Sequence, residues 1–133
     1  MKIKAIYFDC DGTLLDTLRD IHEALNCTLQ ELGKPIVTIE QTRSFVGNGL
    51  RNVLKIALNS EDVDFALERF HHYYAINLIV HSVPYIGVIE FLEELKNMGI
   101  KLGMISNKTD VYIQRLTHHF FEDTFDVALG ERK

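Results

Sequence analysis

Two aspartates, separated by a single residue, follow an apolar segment near the start of the chain. Asp9 and Asp11 come directly after residues 3–8, and Gly12 and Thr13 follow them. Side chains two residues apart on an extended segment lie on the same side, and Gly12 permits a tight turn that bulkier residues resist. Such a pair can bind a divalent cation while one carboxylate acts as a nucleophile and the other as an acid or base. The simpler alternative is a strand-to-helix turn with two solvated acids.

A second polar pair follows another apolar segment. Ser106 and Asn107 come directly after residues 100–105, which are predicted to form a buried strand. In open α/β sheets, ligands bind beyond the carboxyl ends of the strands. A serine hydroxyl and the next backbone N–H could hold phosphate oxygens there. The same pair is also typical of a helix cap, so alone it is a weak signal of a binding site. Together with the two aspartates it is a stronger one.

The apolar residues follow strand and helix patterns in an order that predicts an α/β fold. Residues 3–8, 100–105 and 125–129 are predicted strands, and the first is expected to be buried. Residues from about 17 to 82 carry only helical periodicity. After a linker at 81–85, helix and strand alternate as they do in a Rossmann-like parallel sheet. Helical spacing spans 18–32, 50–58, 63–74, 86–98 and 111–116, and a capping box at 38–41 opens a further short helix.

Composition narrows the classes of function. The 133 residues suffice for a hydrophobic core, and a net charge of −5 without a basic patch argues against a nucleic-acid partner. No apolar run approaches the roughly 18 residues that a membrane span needs, and the start of the chain does not look like a signal peptide. Cys10 and Cys27 lack metal-site spacing, which predicts free thiols in a reducing cytoplasm. Thiolate formation at Cys10 should be disfavoured beside two carboxylates.

Together these motifs resemble the haloacid dehalogenase (HAD) superfamily of phosphohydrolases, in the branch that contains phosphoglycolate phosphatases. Residues 9–17 are similar to its first motif, and Ser106 with Asn107 to its second. By that resemblance, Asp9 attacks phosphorus and carries an aspartyl-phosphate, while Asp11 protonates the leaving alcohol and later activates water. Mg²⁺ would be held by the Asp9 carboxylate and the Asp11 carbonyl. The candidate substrate-binding residues of the two motifs are Gly12, Thr13, Ser106 and Asn107.

The resemblance also divides the chain into two parts. Residues 1–16 and 83–133 would form a partial HAD-like core, and residues 17–82 a helical cap inserted into it. Residues 47–51 resemble a cap turn that closes over the active site, where Arg51 would meet a carboxylate of the substrate. The alternatives are a simple helix break and an exposed arginine that has no ligand.

The family has two further motifs, a lysine and a Gly-Asp-rich segment, which normally follow the third strand. The sequence ends at Lys133, and neither Lys133 nor Lys108 is assigned the role of that lysine. We therefore expect the chain to be an N-terminal part of a phosphatase with an incomplete core. Its first strand would be an exposed edge at which copies of the chain associate.

The leading hypothesis is Mg²⁺-dependent hydrolysis of a small phosphorylated metabolite in the cytoplasm, with 2-phosphoglycolate as the first substrate to test. The alternatives within the same superfamily are a phosphosugar mutase and a pyrophosphatase. A third alternative is a catalytically inert binding module. Neither a nucleic acid nor a membrane is expected as a partner.

Overall fold

A computed structural model of the chain describes residues 2–132, which fall into two compact units. One unit contains the residues up to Asp16 together with those from Val83 onward, and the other is Thr17–Ser82. The first unit holds the strands β1 (Ala5–Phe8), β2 (Leu15–Asp16), β3 (Val83–Pro84), β4 (Lys101–Thr109) and β5 (Val127–Glu131). The helices in chain order are α1 (Leu18–Glu31), α2 (Ile39–Phe45), α3 (Leu50–Leu58), α4 (Asp64–Asn77), α5 (Val88–Asn97) and α6 (Asp110–Phe120).

The sheet of the first unit is parallel, which confirms the predicted α/β class. Its strand order is β1-β4-β5, with Ala5 opposite Lys101 and Gly103 opposite Val127. The strands are joined through helices, as parallel pairing requires. Among residues 2–132, β1 lies at one edge of this sheet.

The two faces of the sheet differ in burial. On one face, Leu102 and Met104 are buried, and the Phe8 ring meets Phe91 of α5 edge-on at 6.4 Å. On the other face, Tyr7 and Ile105 are 62% and 51% exposed. The prediction of a buried first strand is therefore wrong, because Ala5 and Tyr7 are exposed and Ile6 and Phe8 are only half-buried. Side chains of a strand alternate between faces, and the apolar run in the sequence does not show that only one face is covered.

A short antiparallel ribbon was not predicted. Leu15 pairs with Pro84 and Asp16 with Val83, and residues 83–84 lie in the segment that was predicted to be a linker. Two-residue strands carry no periodicity that a sequence could show, and Pro84 is compatible with such an edge position. The ribbon joins the two chain segments that flank Thr17–Ser82.

The second unit contains four helices around their own core. Buried residues of α1, α3 and α4 supply it, including Leu25, Leu29, Leu54, Phe70 and Tyr74. The predicted capping box is present at the start of α2, where Thr38 Oγ1 accepts from the Gln41 N–H and Gln41 Oε1 accepts from the Thr38 N–H. No helix within the described part of the chain is long and apolar enough to cross a bilayer.

Candidate active site

The loop after β1 carries both aspartates, and backbone hydrogen bonds fix its course. The carbonyl of Cys10 accepts from the N–H groups of Thr13, Leu14 and Leu15 at 3.1–3.2 Å. Gly12 has a φ of +75° and donates its N–H to the Leu15 carbonyl at 2.9 Å. That φ lies in the left-handed region, which glycine adopts without strain. The turn predicted from Gly12 is thus present, and backbone hydrogen bonds hold the loop that carries the two acids.

Asp9 and Asp11 have different environments within this loop. Asp9 is exposed, whereas the Asp11 side chain is 26% exposed. Cys10 between them is fully buried, and its burial, followed by the charge of Asp11, raises the pKa of its thiol to about 12. Cys10 is therefore a protonated thiol at neutral pH, which excludes it as a thiolate nucleophile. The prediction that thiolate formation at Cys10 is disfavoured is confirmed, although burial raises the pKa of the thiol more than the carboxylates do.

The second polar pair lies near the end of β4, which is longer than predicted. The strand continues past residue 105 to Thr109, so Ser106 and Asn107 are parts of it. Ser106 is buried, Asn107 is exposed and Lys108 is buried again, as alternation along a strand requires. Ser106 Oγ accepts a hydrogen bond from the Lys108 N–H at 3.1 Å. A hydroxyl that accepts in this way can still donate its own proton to a ligand.

Lys108 connects the two motifs, although no role was predicted for it from the sequence. Its Nζ donates to Asp11 Oδ1 at 3.0 Å, and its side chain is only 1% exposed. The loop after β1 and the end of β4 therefore meet at this ion pair, so Asp11 and the segment that carries Ser106 belong to one cluster. The signal available in the sequence was the spacing of Ser106 and Lys108, which puts both side chains on the same side of a strand.

Asp110, the first residue of α6, holds the end of β5. Its Oδ1 accepts from the Gly130 N–H at 2.8 Å and from Gln114 Nε2 at 3.1 Å. The hydrogen bond from Gly130, then that from Gln114, lowers the pKa of Asp110. A Cβ on residue 130 would lie 2.6 Å from the Asp110 Cα, so glycine is required there. Asp110 thus has a structural role beside the candidate site.

The aspartates of the loop also have the ligand chemistry that Mg²⁺ prefers. Mg²⁺ is bound through oxygen, commonly by one or two carboxylates, and keeps several of its waters. Asp9 and Asp11 offer carboxylate oxygens and the backbone carbonyls of the same loop. These residues therefore fit a magnesium ion by donor type.

A different group of side chains has the geometry of a metal site, in the helical unit. Asp20, Glu23 and His81 have ligand atoms within 4.8 Å of one another. However, the buried Asp20 carboxylate accepts from the His81 N–H, the Ser82 N–H and the Ser82 hydroxyl at 2.7–3.0 Å. Three donors already use this carboxylate, so it anchors the backbone at residues 81 and 82, and the group does not fit a metal site.

Arg51, the remaining predicted site residue, lies in α3 of the helical unit. Its Nη1 is 2.8 Å from Asp64 Oδ1, and its side chain is 46% exposed. Gly47 and Gly49 just before this helix have φ values of +125° and +87°. The ion pair with Asp64 gives Arg51 a partner within its own unit.

Comparison with known proteins identifies the family. The sequence matches the haloacid dehalogenase-like hydrolases over residues 6–133, which is nearly the whole chain. The chain belongs to this family. The family resemblance drawn from the two motifs is confirmed, and so is the fold.

The curated relatives that it matches are named phosphoglycolate phosphatase. The one from Aquifex aeolicus is 36% identical over 129 residues, which are 96% of this chain and 61% of the relative. The one from Thiobacillus denitrificans is 32% identical over 120 residues, 84% of this chain and 53% of the relative. The chain thus spans between half and two thirds of the length of these two relatives.

Solved structures have the same fold over nearly the whole chain. A predicted phosphoglycolate phosphatase from Haemophilus somnus has a TM-score of 0.88 at 30% identity, covering 96% of this chain and 62% of its own. A haloacid dehalogenase-like hydrolase from Streptococcus pneumoniae has a TM-score of 0.89 at 29% identity, covering 98% of this chain and 62% of its own.

Proposed function

We propose that the chain carries the nucleophile and the acid/base of a phosphatase that hydrolyses a small phosphate monoester, with 2-phosphoglycolate as the first candidate. One observation carries the proposal. The Lys108–Asp11 contact brings the loop with the two acids to the end of β4, where Ser106 lies. The names of the curated relatives support the same substrate class.

The proposed reaction has two steps. A carboxylate oxygen of the exposed Asp9 attacks phosphorus, and the bond between phosphorus and the leaving oxygen breaks while Asp11 gives its proton to that oxygen. An aspartyl-phosphate and a free alcohol result. Asp11 then takes a proton from water, whose oxygen attacks phosphorus and releases inorganic phosphate. Asp9 returns as a carboxylate and Asp11 as an acid.

The remaining site residues would bind and orient the phosphoryl group. The Ser106 hydroxyl can donate to a phosphate oxygen, and we assign Asn107, Gly12 and Thr13 to the same group of ligands. The Asp9 carboxylate and the Asp11 carbonyl would hold Mg²⁺, which, when bound, offsets the repulsion between a phosphate dianion and two acids. The oxygen donors of the loop support this cofactor.

We further propose that Thr17–Ser82 is a cap that helps to select the substrate. Arg51 would bind a carboxylate of the substrate in place of Asp64. The cost of such an exchange is small, because exposed ion pairs of this kind contribute about 0–1 kcal/mol. Cap closure would exclude bulk water from the first step of the reaction.

The other proposed properties concern partners and compartment. The edge position and exposed Tyr7 of β1 support association between copies of this chain. The net charge of −5 supports a metabolite rather than a nucleic acid as partner. Cys10 and Cys27 are free thiols, which supports the reducing cytoplasm as the place of action.

The test is Mg²⁺-dependent turnover of p-nitrophenyl phosphate and 2-phosphoglycolate. Two proteins are assayed: this chain, and a longer chain in which it is followed by the part of the Aquifex aeolicus relative beyond the matched region. Asp9→Asn should lower kcat at least about 10³-fold, since it removes the nucleophile. Asp62→Asn, the same change at an exposed aspartate of the helical unit, should leave kcat unchanged.

The outcomes separate the candidate functions. Release of inorganic phosphate from 2-phosphoglycolate supports the phosphatase. Conversion of a phosphosugar to its isomer, or preferred cleavage of pyrophosphate, supports the alternatives within the superfamily. If neither protein turns over any of these compounds and Asp9→Asn changes nothing, the chain is a binding module and the proposal fails.

A further inference from the structure

Lys108 is the most deeply buried charged side chain that touches the candidate site. Its side chain is 1% exposed, and its Nζ lies 3.0 Å from Asp11 Oδ1. Lysine is almost never fully buried unless its charge is paired, because an ammonium loses its hydration in the protein interior. The position of this side chain therefore depends on the carboxylate of Asp11.

Lys108 lies among other buried side chains. Its backbone N–H is bonded to Ser106 Oγ, and the strand that carries both residues is paired with β1 at residues 101–104 and with β5 at residues 103–105 and 109. The buried side chains of Cys10 and Tyr112 are also near its charge. Burial raises the pKa of each, and the charge of Lys108 opposes that rise. The ammonium is thus held in the interior of this unit, next to Asp11.

We infer that Lys108 is a positioning residue that holds the carboxyl group of Asp11 in the orientation needed for proton transfer. The inference rests on the proposed function, in which Asp11 is the acid and base. The hydrogen bond from Lys108 Nζ occupies Oδ1 whether Asp11 is a carboxylate or an acid, so the proton that Asp11 transfers is carried on Oδ2. Acid/base catalysis requires that oxygen within hydrogen-bond reach of the leaving oxygen, and small displacements lower the rate greatly. Lys108 is not the lysine of the family's third motif. That lysine is expected after the third predicted strand, which is β5, whereas Lys108 belongs to β4 and contacts Asp11.

The leaving group distinguishes this role from a merely structural one. The alcohol released from 2-phosphoglycolate is a poor leaving group and needs the proton from Asp11. The nitrophenolate released from p-nitrophenyl phosphate is a good leaving group and needs little help. A residue that positions the acid should therefore change kcat/KM unequally for the two substrates, because kcat/KM reports the steps up to release of the alcohol. The value of kcat also includes hydrolysis of the aspartyl-phosphate, which is the same for both substrates. A residue that only stabilises the fold should affect them equally.

The experiment compares neutral and charged variants on both substrates, in this chain and in the longer chain. Lys108→Met and Lys108→Gln should lower kcat/KM for 2-phosphoglycolate about 10²-fold and for p-nitrophenyl phosphate less than about fivefold. Lys108→Arg keeps the charge and should recover part of the loss. The control is Lys101→Met on the same strand. The Lys101 side chain is 76% exposed, and its substitution should change neither kcat/KM value. Lys108→Met and Lys108→Gln differ in shape and polarity, so the test can still be made if one of them does not fold.

The result that overturns the inference differs from the one that overturns the proposed function. If Asp9→Asn abolishes turnover but the neutral Lys108 variants lower both kcat/KM values equally, or neither, Lys108 does not position Asp11 for the first step and the phosphatase proposal stands. If Asp9→Asn has no effect, the proposed function fails and this inference fails with it.

Discussion

The two units of the chain use their charged residues in different ways. In the unit with the sheet, a nearly fully buried lysine is paired with a partly buried aspartate at the ends of two strands. In the helical unit, charged groups mainly secure the fold. Asp20 holds the backbone of His81 and Ser82, and Glu31 accepts from Arg69 at 2.6 Å.

The two kinds of ion pair differ in how far their side chains are exposed to water. The Arg69 and Glu31 side chains are 29% and 32% exposed, so water competes for both partners. The Lys108 ammonium is almost out of reach of water, where an electrostatic interaction is stronger and loss of a partner costs more. A buried charge beside acids at strand ends indicates a site, whereas partly exposed pairs between helices indicate packing. Three kinds of measurement test this difference between the units: stability, association between copies, and the pKa values of two carboxyl groups.

The largest effect on stability is expected at Asp20, the one buried acid of the helical unit. Asp20→Ala leaves the N–H groups of His81 and Ser82 and the Ser82 hydroxyl without their acceptor. Each such loss of a charged acceptor costs on the order of 1–3 kcal/mol, and we expect a total of about 3 kcal/mol in the free energy of unfolding. Urea denaturation of the whole chain, followed by circular dichroism, measures it.

The matched control is Asp64→Ala in the same unit. Asp64 is 80% exposed and paired with Arg51, so its removal should cost less than about 1 kcal/mol. Equal losses of unfolding free energy in the two variants would show that Asp20 stabilises the fold no more than an exposed aspartate does. Binding of Mg²⁺ that disappears in Asp20→Ala but not in Asp9→Asn would show that the group with Glu23 and His81 is a metal site after all.

The features that were predicted correctly from the sequence are mostly those that depend on residues close together in the chain. The turn at Gly12 and the capping box at Thr38 depend on a few consecutive residues, and both were predicted. The long helices were predicted because burial of one face repeats every three or four residues. The ribbon formed by β2 and β3 was missed, because two residues per strand are too few to carry a pattern.

What the sequence could not supply depends on contacts between distant residues. Lys108 and Asp11 are 97 positions apart, and their contact requires the register between β1 and β4. The extension of β4 to Thr109 is likewise set by pairing with Glu131, since the residues after 105 are polar and show no strand signal. The motifs were therefore found individually, and their connection through Lys108 was not.

The exposed face of the sheet is expected to give a smaller effect, on association. Tyr7, Gly103 and Val127 form one row across the three strands, and Ile105 and Leu129 form the next, so their exposed apolar surfaces are contiguous. Tyr7→Lys places a charge on the edge strand, which disfavours strand pairing between chains. We expect association between copies to weaken at least about tenfold, a change of 1.4 kcal/mol. Sedimentation velocity over a range of concentrations measures it.

Ile76→Lys is the control for that change. Ile76 is 67% exposed in α4, and its substitution should leave the association unchanged. A wild-type chain that stays monomeric at all concentrations would refute self-association at this surface. Equal weakening by both variants would mean that added positive charge, rather than the sheet edge, is responsible.

The smallest expected effect concerns two carboxyl groups whose pKa values are lowered for different reasons. The hydrogen bond from Arg69 is the main cause at Glu31, and the hydrogen bond from the Gly130 N–H is the main cause at Asp110. In both cases the folded pKa lies below the unfolded one. The resulting stabilisation is therefore present above the unfolded pKa, near 4, and is lost as the pH falls through the folded value.

Salt should separate these two carboxyl groups. An exposed ion pair is screened by ions, whereas a hydrogen bond from a backbone N–H is much less affected. In NMR titrations at low and high salt, the pKa of Glu31 should rise towards its ordinary value while that of Asp110 changes little. Asp110→Asn should also flatten the acid limb of stability below about pH 4, while Glu122→Gln, at an exposed glutamate nearby in sequence, should not. An equal response of Glu31 and Asp110 to salt would mean that Arg132, 3.3 Å from Asp110 Oδ2, rather than the Gly130 N–H, holds the pKa of Asp110 low.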